Sequence, residues 1–152
     1  MTTTPAPEIL VTRRYACSTE RVFDAWLDPR SAGRWLFATP TGIMRKVEID
    51  PFVGGGFTIV ERRSGVDVEH AGTYLEMIRP RRIVFTFTVD IKAKTPTRVS
   101  IDVERFGSGC EVVLKHQGVP PEYTDRTRAG WMTILDALAI VLGEKMLGGP
   151  TK

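Results

Sequence analysis

Residues 99–142 read VSIDVERFGSGCEVVLKHQGVPPEYTDRTRAGWMTILDALAIVL, and both layers of the fold are written in them. Val99, Ile101 and Val103 alternate with Ser100, Asp102 and Glu104, the period of a strand with one apolar face. Gly107-Ser108 makes a tight hairpin turn. Beyond it, Cys110, Val112, Leu114 and His116 take one face of a second strand, and Glu111, Val113, Lys115 and Gln117 the other. Pro120-Pro121 closes the strands, and a helix can begin at or near Pro121. Trp131, Ile134, Leu135, Leu138, Val141 and Leu142 then form a helical stripe, on a helix of about six turns counted from Glu122. A sheet with one apolar face needs a cover, and this helix is the one element able to supply it.

Upstream, the same alternation recurs. Ile9 to Tyr15 is a strand. Ser18 caps a helix with Glu20 in its first turn and Val22, Phe23, Trp26 and Leu27 on one face. Pro29 stops it, and Arg30 to Leu36 form a second short helix. Strands follow at Lys46–Asp50, at Phe57–Arg63 after Gly54-Gly55-Gly56, at His70–Ile78 and at Ile83–Val89, with a loop at Lys92–Pro96. The expected fold is α+β: a strongly bent antiparallel sheet wrapped around one long C-terminal helix, with two short helices after the first strand. Residues 1–7, with Pro5 and Pro7, form a loose tail, 8–147 a single domain, and 148–152 a second tail.

Composition agrees with one compact domain. The chain has 152 residues, 42% hydrophobic and 26% charged, enough to build a core without a disulfide or metal staple. No run approaches ~18 uncharged apolar residues, so no membrane span is expected. Met1 to Ile9 carries neither a basic head nor an apolar run, which points to the cytoplasm. Twenty-one Lys+Arg against 18 Asp+Glu leave a net charge of +3, but the basic residues are dispersed in small groups such as Arg79, Arg81 and Arg82. They read as solvated strand ends and turns, and no nucleic-acid partner is expected. Two Cys and two His without ligand spacing give no metal site, and no cofactor is expected.

Several segments narrow the fold further. Cys17-Ser18-Thr19-Glu20-Arg21-Val22-Phe23-Asp24-Ala25-Trp26-Leu27-Asp28-Pro29 and then Arg34-Trp35, Asp50-Pro51-Phe52-Val53-Gly54-Gly55-Gly56-Phe57, Gly72-Thr73-Tyr74-Leu75-Glu76, Pro80-Arg81-Arg82-Ile83-Val84-Phe85, Lys115-His116-Gln117-Gly118 and Gly130-Trp131 with Leu135 and Leu138 occur in this order. Together they resemble the family homologous to the activator of the heat-shock-protein-90 ATPase, of the START-like, helix-grip superfamily. Departures stand at Cys17-Ser18, where the family often has Ala-Pro, at Phe52 for a frequent Arg, and at Leu36 for a frequent second Trp. The resemblance implies a helix-grip fold and three classes of function: binding of an apolar or amphipathic small molecule between sheet and helix, contact with a chaperone ATPase, or cyclase- or hydrolase-like catalysis on a polyketide-like ligand. The first leads. The activators proper carry a second, N-terminal domain, and only one is expected here.

If a cavity lies between sheet and helix, the residues expected to face it are Trp35, Phe57, Ile59, Phe85, Phe87, Ile101, Leu114, Trp131, Leu135 and Leu138. The same residues could fill a solid core instead. His116 falls on the apolar face of its strand, either as a ligand-binding or acid–base group or as a buried, satisfied histidine. His70, near a strand start, is expected to be exposed. Glu48, Asp50, Glu61, Asp67, Glu69 and Glu76 fall mostly on polar positions or in turns, so no catalytic carboxylate pair is assembled. Gly54-Gly55-Gly56 lacks the Lys-Ser/Thr of a phosphate loop and fits a bend in a curved sheet. No serine has a nucleophile-elbow context. Cys110 packs inward, and Cys17 adjoins a helix N-terminus where a thiolate could be stabilised. No catalytic residue is assigned.

Overall fold

The computed structural model describes residues 8–89 and 96–148, with side chains as far as Gly143. The tail expected at 1–7, residues 149–152 of the tail expected at 148–152, and residues 92–95 of the loop expected at Lys92–Pro96 lie outside the described residues. Seven strands, β1 (Glu8–Tyr15), β2 (Ile43–Ile49), β3 (Gly56–Arg63), β4 (Val66–Ile78), β5 (Arg82–Val89), β6 (Thr97–Phe106) and β7 (Gly109–Gln117), form one sheet in the order β1-β7-β6-β5-β4-β3-β2. All neighbours are antiparallel. Helices α1 (Thr19–Leu27) and α2 (Pro29–Trp35) follow β1, and α3 (Thr124–Gly148) ends the fold after a single 3-10 turn at Pro121–Tyr123. This is the expected α+β helix-grip architecture. Among the described residues no helix is long and apolar enough to cross a membrane.

Local chemistry sets the punctuation. The Ser18 hydroxyl accepts from the Arg21 amide at 3.1 Å and caps α1. Asp28 serves two helices: its amide closes α1 on the Asp24 carbonyl, and its carboxylate caps α2 by accepting from the Arg30 amide. Pro29 at the first position of α2 donates nothing where no donor is needed. Gly54 and Gly55 end the β2–β3 loop, where Gly54 takes φ 93°, and Gly56 opens β3. Gly72 permits the bend of β4 against β5. A Cβ there would stand 1.8 Å from the Thr86 carbonyl oxygen, so any side chain would force the strands apart.

The inner face is what the alternation predicts. Val99, Ile101 and Val103 from β6 and Cys110, Val112 and Leu114 from β7 are buried beneath α3, together with Leu135, Leu138, Val141 and Leu142 from the helix. The Tyr15 hydroxyl donates to the Leu135 carbonyl at 2.9 Å, and Arg13 pairs with Asp136, so α3 is also tied to the edge strand β1. Several boundaries differ from expectation, β2 by starting at Ile43 rather than Lys46 among them, and two bear on the core and the cleft. Strand β4 begins at Val66 rather than His70, and α3 begins at Thr124 with its last residue at Gly148, one beyond the expected domain end. The first difference has a large consequence, because it puts His70 in mid-strand.

Candidate functional site

Between the open ends of β5, β6 and β7 and the first turns of α3 lies a cleft of about 1060 Å³. Two hydrogen-bonded clusters of aromatic and polar residues build its walls.

The first begins where α2 ends. Leu36 caps the helix in an extended conformation, and Phe37 then takes φ 59°, a left-handed backbone that a residue with a Cβ rarely adopts. That turn drives the Phe37 ring inward. It lies parallel to His70 at 4.4 Å and to Phe87 at 5.1 Å, and tilted against Trp131 at 5.7 Å. His70 is therefore not exposed, as the sequence reading expects, but buried under this ring. Its Nδ1 faces the Ile59 carbonyl at 3.1 Å, and its Nε2 faces Arg63 Nη2 at 3.4 Å. A carbonyl only accepts and a guanidinium only donates, so the tautomer with its proton on Nδ1 satisfies both. Arg63 Nη2 also donates to the Phe37 carbonyl at 3.2 Å, which holds the turn in place.

Behind Arg63 sits Glu61, a carboxylate with 1% of its side chain exposed. Arg63 Nε donates to its Oε1. Oε2 accepts from the Thr39 amide at 2.7 Å and the Thr39 hydroxyl at 3.1 Å. Gly42 makes room for this arrangement, since a Cβ there would stand 2.1 Å from Oε2. Glu61 is thus the exception among the carboxylates expected on polar positions. The signal was available: Phe57, Ile59 and Glu61 share one parity on β3, so Glu61 points inward with them. Likewise, Tyr74 and His70 share a parity on β4.

The second cluster joins β7 to α3. Trp131 Nε1 donates to His116 Nδ1 at 2.9 Å. His116 Nε2 must then carry the ring proton, which goes to the Thr97 hydroxyl at 2.7 Å, and that hydroxyl donates to the Phe87 carbonyl at 3.0 Å. Burial pushes the His116 pKa down to about 4, so the ring is neutral near pH 7. With both nitrogens engaged by the protein, His116 has the form of a satisfied, structural histidine.

Of the eleven residues the sequence points to, Phe87, His116 and Trp131 line the cleft. Trp35, Ile59, Ile101, Leu114, Leu135 and Leu138 are sealed in the core, and Phe57 and Phe85 are buried beside them. Trp35 meets Trp26 edge-on at 4.7 Å, and its indole N–H donates to the Ala25 carbonyl. Phe57 and Phe85 meet edge-on at 5.2 Å. Phe37, Thr39, Arg63, His70 and Thr97 are also in the wall, none of them among the eleven. Cys17 and Cys110 are both buried free thiols. Burial raises the pKa of each, which removes the thiolate considered for Cys17 at the start of α1. Among the described residues no three His, Cys, Asp or Glu side chains converge as metal ligands.

Comparison with known proteins follows the fold. Residues 16–143 match the family described as activator of Hsp90 ATPase homolog 1-like protein. A Chromobacterium violaceum protein of known structure is 25% identical, with 88% of this chain and 95% of that one covered and a TM-score of 0.81. A Staphylococcus aureus protein described as of unknown function gives the same TM-score at 19% identity, over 92% of this chain and 95% of that one. CalU16 from Micromonospora echinospora is 25% identical, with 93% of this chain and 80% of that one covered and a TM-score of 0.69. None of the curated proteins compared with it matches this chain.

Proposed function

The chain belongs to the family of activator of Hsp90 ATPase homolog 1-like proteins, and from that premise we propose that it is a binding protein for a small apolar or amphipathic molecule. The observation that carries this reading is the cleft. At about 1060 Å³ it has the volume of a small-molecule site, and it sits where the helix-grip layers diverge. Phe37, Phe87 and Trp131 present aromatic surface to it, while Thr39, Thr97 and Arg63 supply a few polar groups. That mixture, mostly apolar with sparse oriented donors, is what binds and orients a small molecule. Phe57, Phe85 and the sealed residues around them support the wall from behind.

The family description also carries a second reading, contact with a chaperone ATPase. Catalysis on a bound polyketide-like ligand is a third, and it has less support here, since His116 spends both ring nitrogens on Trp131 and Thr97.

Gly130 offers a direct test. It lines the cleft on α3, and a Cβ built there meets nothing within 4 Å. Gly130→Leu therefore grows a side chain into the cleft while removing the cost of a helical glycine, about 0.5–1 kcal/mol. Native mass spectrometry of wild type purified from its own cell is expected to show a bound small molecule that Gly130→Leu lacks, with no fall in melting temperature when both proteins are compared free of ligand. A wild type that carries nothing and is stabilised by no member of a broad apolar library would overturn the reading and leave the chaperone as the partner to test.

A further inference from the structure

We propose that the cleft selects small aromatic acids, with the anionic group held by Arg63 and Arg126 and the ring system lying against Phe37, Phe87 and Trp131. This deepens the binding reading above and rests on it. The charge lining the cleft is of one sign. Among the described residues of the wall, Arg63 and Arg126 are the only charged side chains, and no aspartate or glutamate is part of the lining.

Each arginine has donors to spare. Arg63 commits Nε to Glu61 and Nη2 to Phe37 and His70, and among the described residues Nη1 has no hydrogen-bond partner. Its side chain keeps 36% of its surface exposed, whereas its counter-ion Glu61 keeps 1% and is not part of the wall. An incoming anion can therefore reach the guanidinium without meeting the carboxylate. Arg126 is exposed in the first turn of α3. The acid beside it, Asp125, pairs with Arg128 on the helix exterior at 3.4 Å. The amide ends of that same turn add positive potential where Tyr123 and Thr127 border the cleft. The two histidine rings, with their nitrogens on protein partners, bring no negative charge to the wall. A neutral aromatic compound would gain only the apolar contacts, and an aromatic cation would be repelled.

Three probes with one naphthalene body separate these cases: the carboxylate, its primary amide and a naphthylmethyl ammonium. Isothermal titration is expected to rank them in that order. The carboxylate should lead the amide by about tenfold, the scale of one charge-assisted hydrogen bond, with a lead that shrinks as salt screens the rim. Arg126→Glu, a change at an exposed position, should erase the carboxylate's lead over the amide. Equal affinity for carboxylate and amide, or a preference for the ammonium, would overturn acid selection but leave the binding reading standing. Carboxylate binding that survives in Gly130→Leu would place the anion elsewhere on this basic chain and overturn the assignment. If the wild type binds none of the three, acid selection is overturned, while the binding reading still stands or falls on the co-purified molecule and the broad apolar library.

Discussion

The space between sheet and helices has two ends, and they are packed by different rules. At the closed end, Trp26, Trp35, Phe85, Leu135 and Leu138 meet ring to ring and side chain to side chain. Dispersion and water exclusion hold that end, and partners there are interchangeable in principle if volume is kept. At the open end, Phe37, His70, Phe87, His116 and Trp131 are as aromatic, yet nearly every ring is fixed by a directed bond. Trp131 is held by His116, His116 by Thr97, His70 by Ile59, and Phe37 through its own carbonyl by Arg63. A wall beside a cleft lacks neighbours on one side and so cannot rely on close packing for its shape. Hydrogen bonds supply the rigidity that packing supplies elsewhere.

That contrast can be broken first at its most polar point. Arg63→Ala strips the counter-ion from a sealed Glu61 and is expected to cost about 3–5 kcal/mol in chemical denaturation. The double change Arg63→Ala with Glu61→Leu should recover much of the loss. If the single change is nearly silent, the open end does not depend on its polar frame.

Two phenylalanines one pleat apart sharpen the comparison. Phe85→Ala opens a void at the closed end and should cost about 3–5 kcal/mol. Phe87→Ala merely enlarges an existing cleft that water can enter, and its cost should fall near or below the bottom of that range. Equal costs would mean that both ends pack alike.

The smallest effect is a pH dependence. His116 titrates near pH 4 when folded and near 6.5 when unfolded. The unfolded chain therefore binds a proton first, and stability is full above about pH 6.5 and falls as the pH drops toward 4. The loss is at most about 3 kcal/mol. His116→Gln should flatten the part of the acid limb between those values, as read from urea midpoints at successive pH values. An acid limb unchanged by that substitution would remove His116 as its source.

How much of this was legible before the structure follows the same division. Strict alternation in β6 and β7 and the Trp131–Leu142 stripe exposed the closed end almost residue by residue, because apolar burial is written directly in periodicity. The open end depends on features that periodicity does not encode. Phe37 turns inward only through a left-handed residue after α2. Arg63 matters because a loop carbonyl and a buried acid converge on it. His70 and Glu61 did carry a signal, strand parity, but hydropathy argued against parity and the polar residue type was the wrong guide. His116 was correctly placed on the inner face, yet its hydrogen-bond partners come from β6 and α3, which no local pattern joins to it.

One consequence of the sheet order concerns the ribosome. Along its whole length β1 pairs with β7, Glu8 opposite Gln117 and Tyr15 opposite Cys110. During synthesis the first strand therefore emerges about a hundred residues before the strand that will accept its hydrogen bonds. At about 5–20 residues per second it waits for roughly 5–20 seconds. Throughout that interval Ile9 and Val11 have no finished sheet to cover them. The sheet cannot be completed vectorially from one end; its last hydrogen bonds join the first strand made to the last, when every strand between them has already been made.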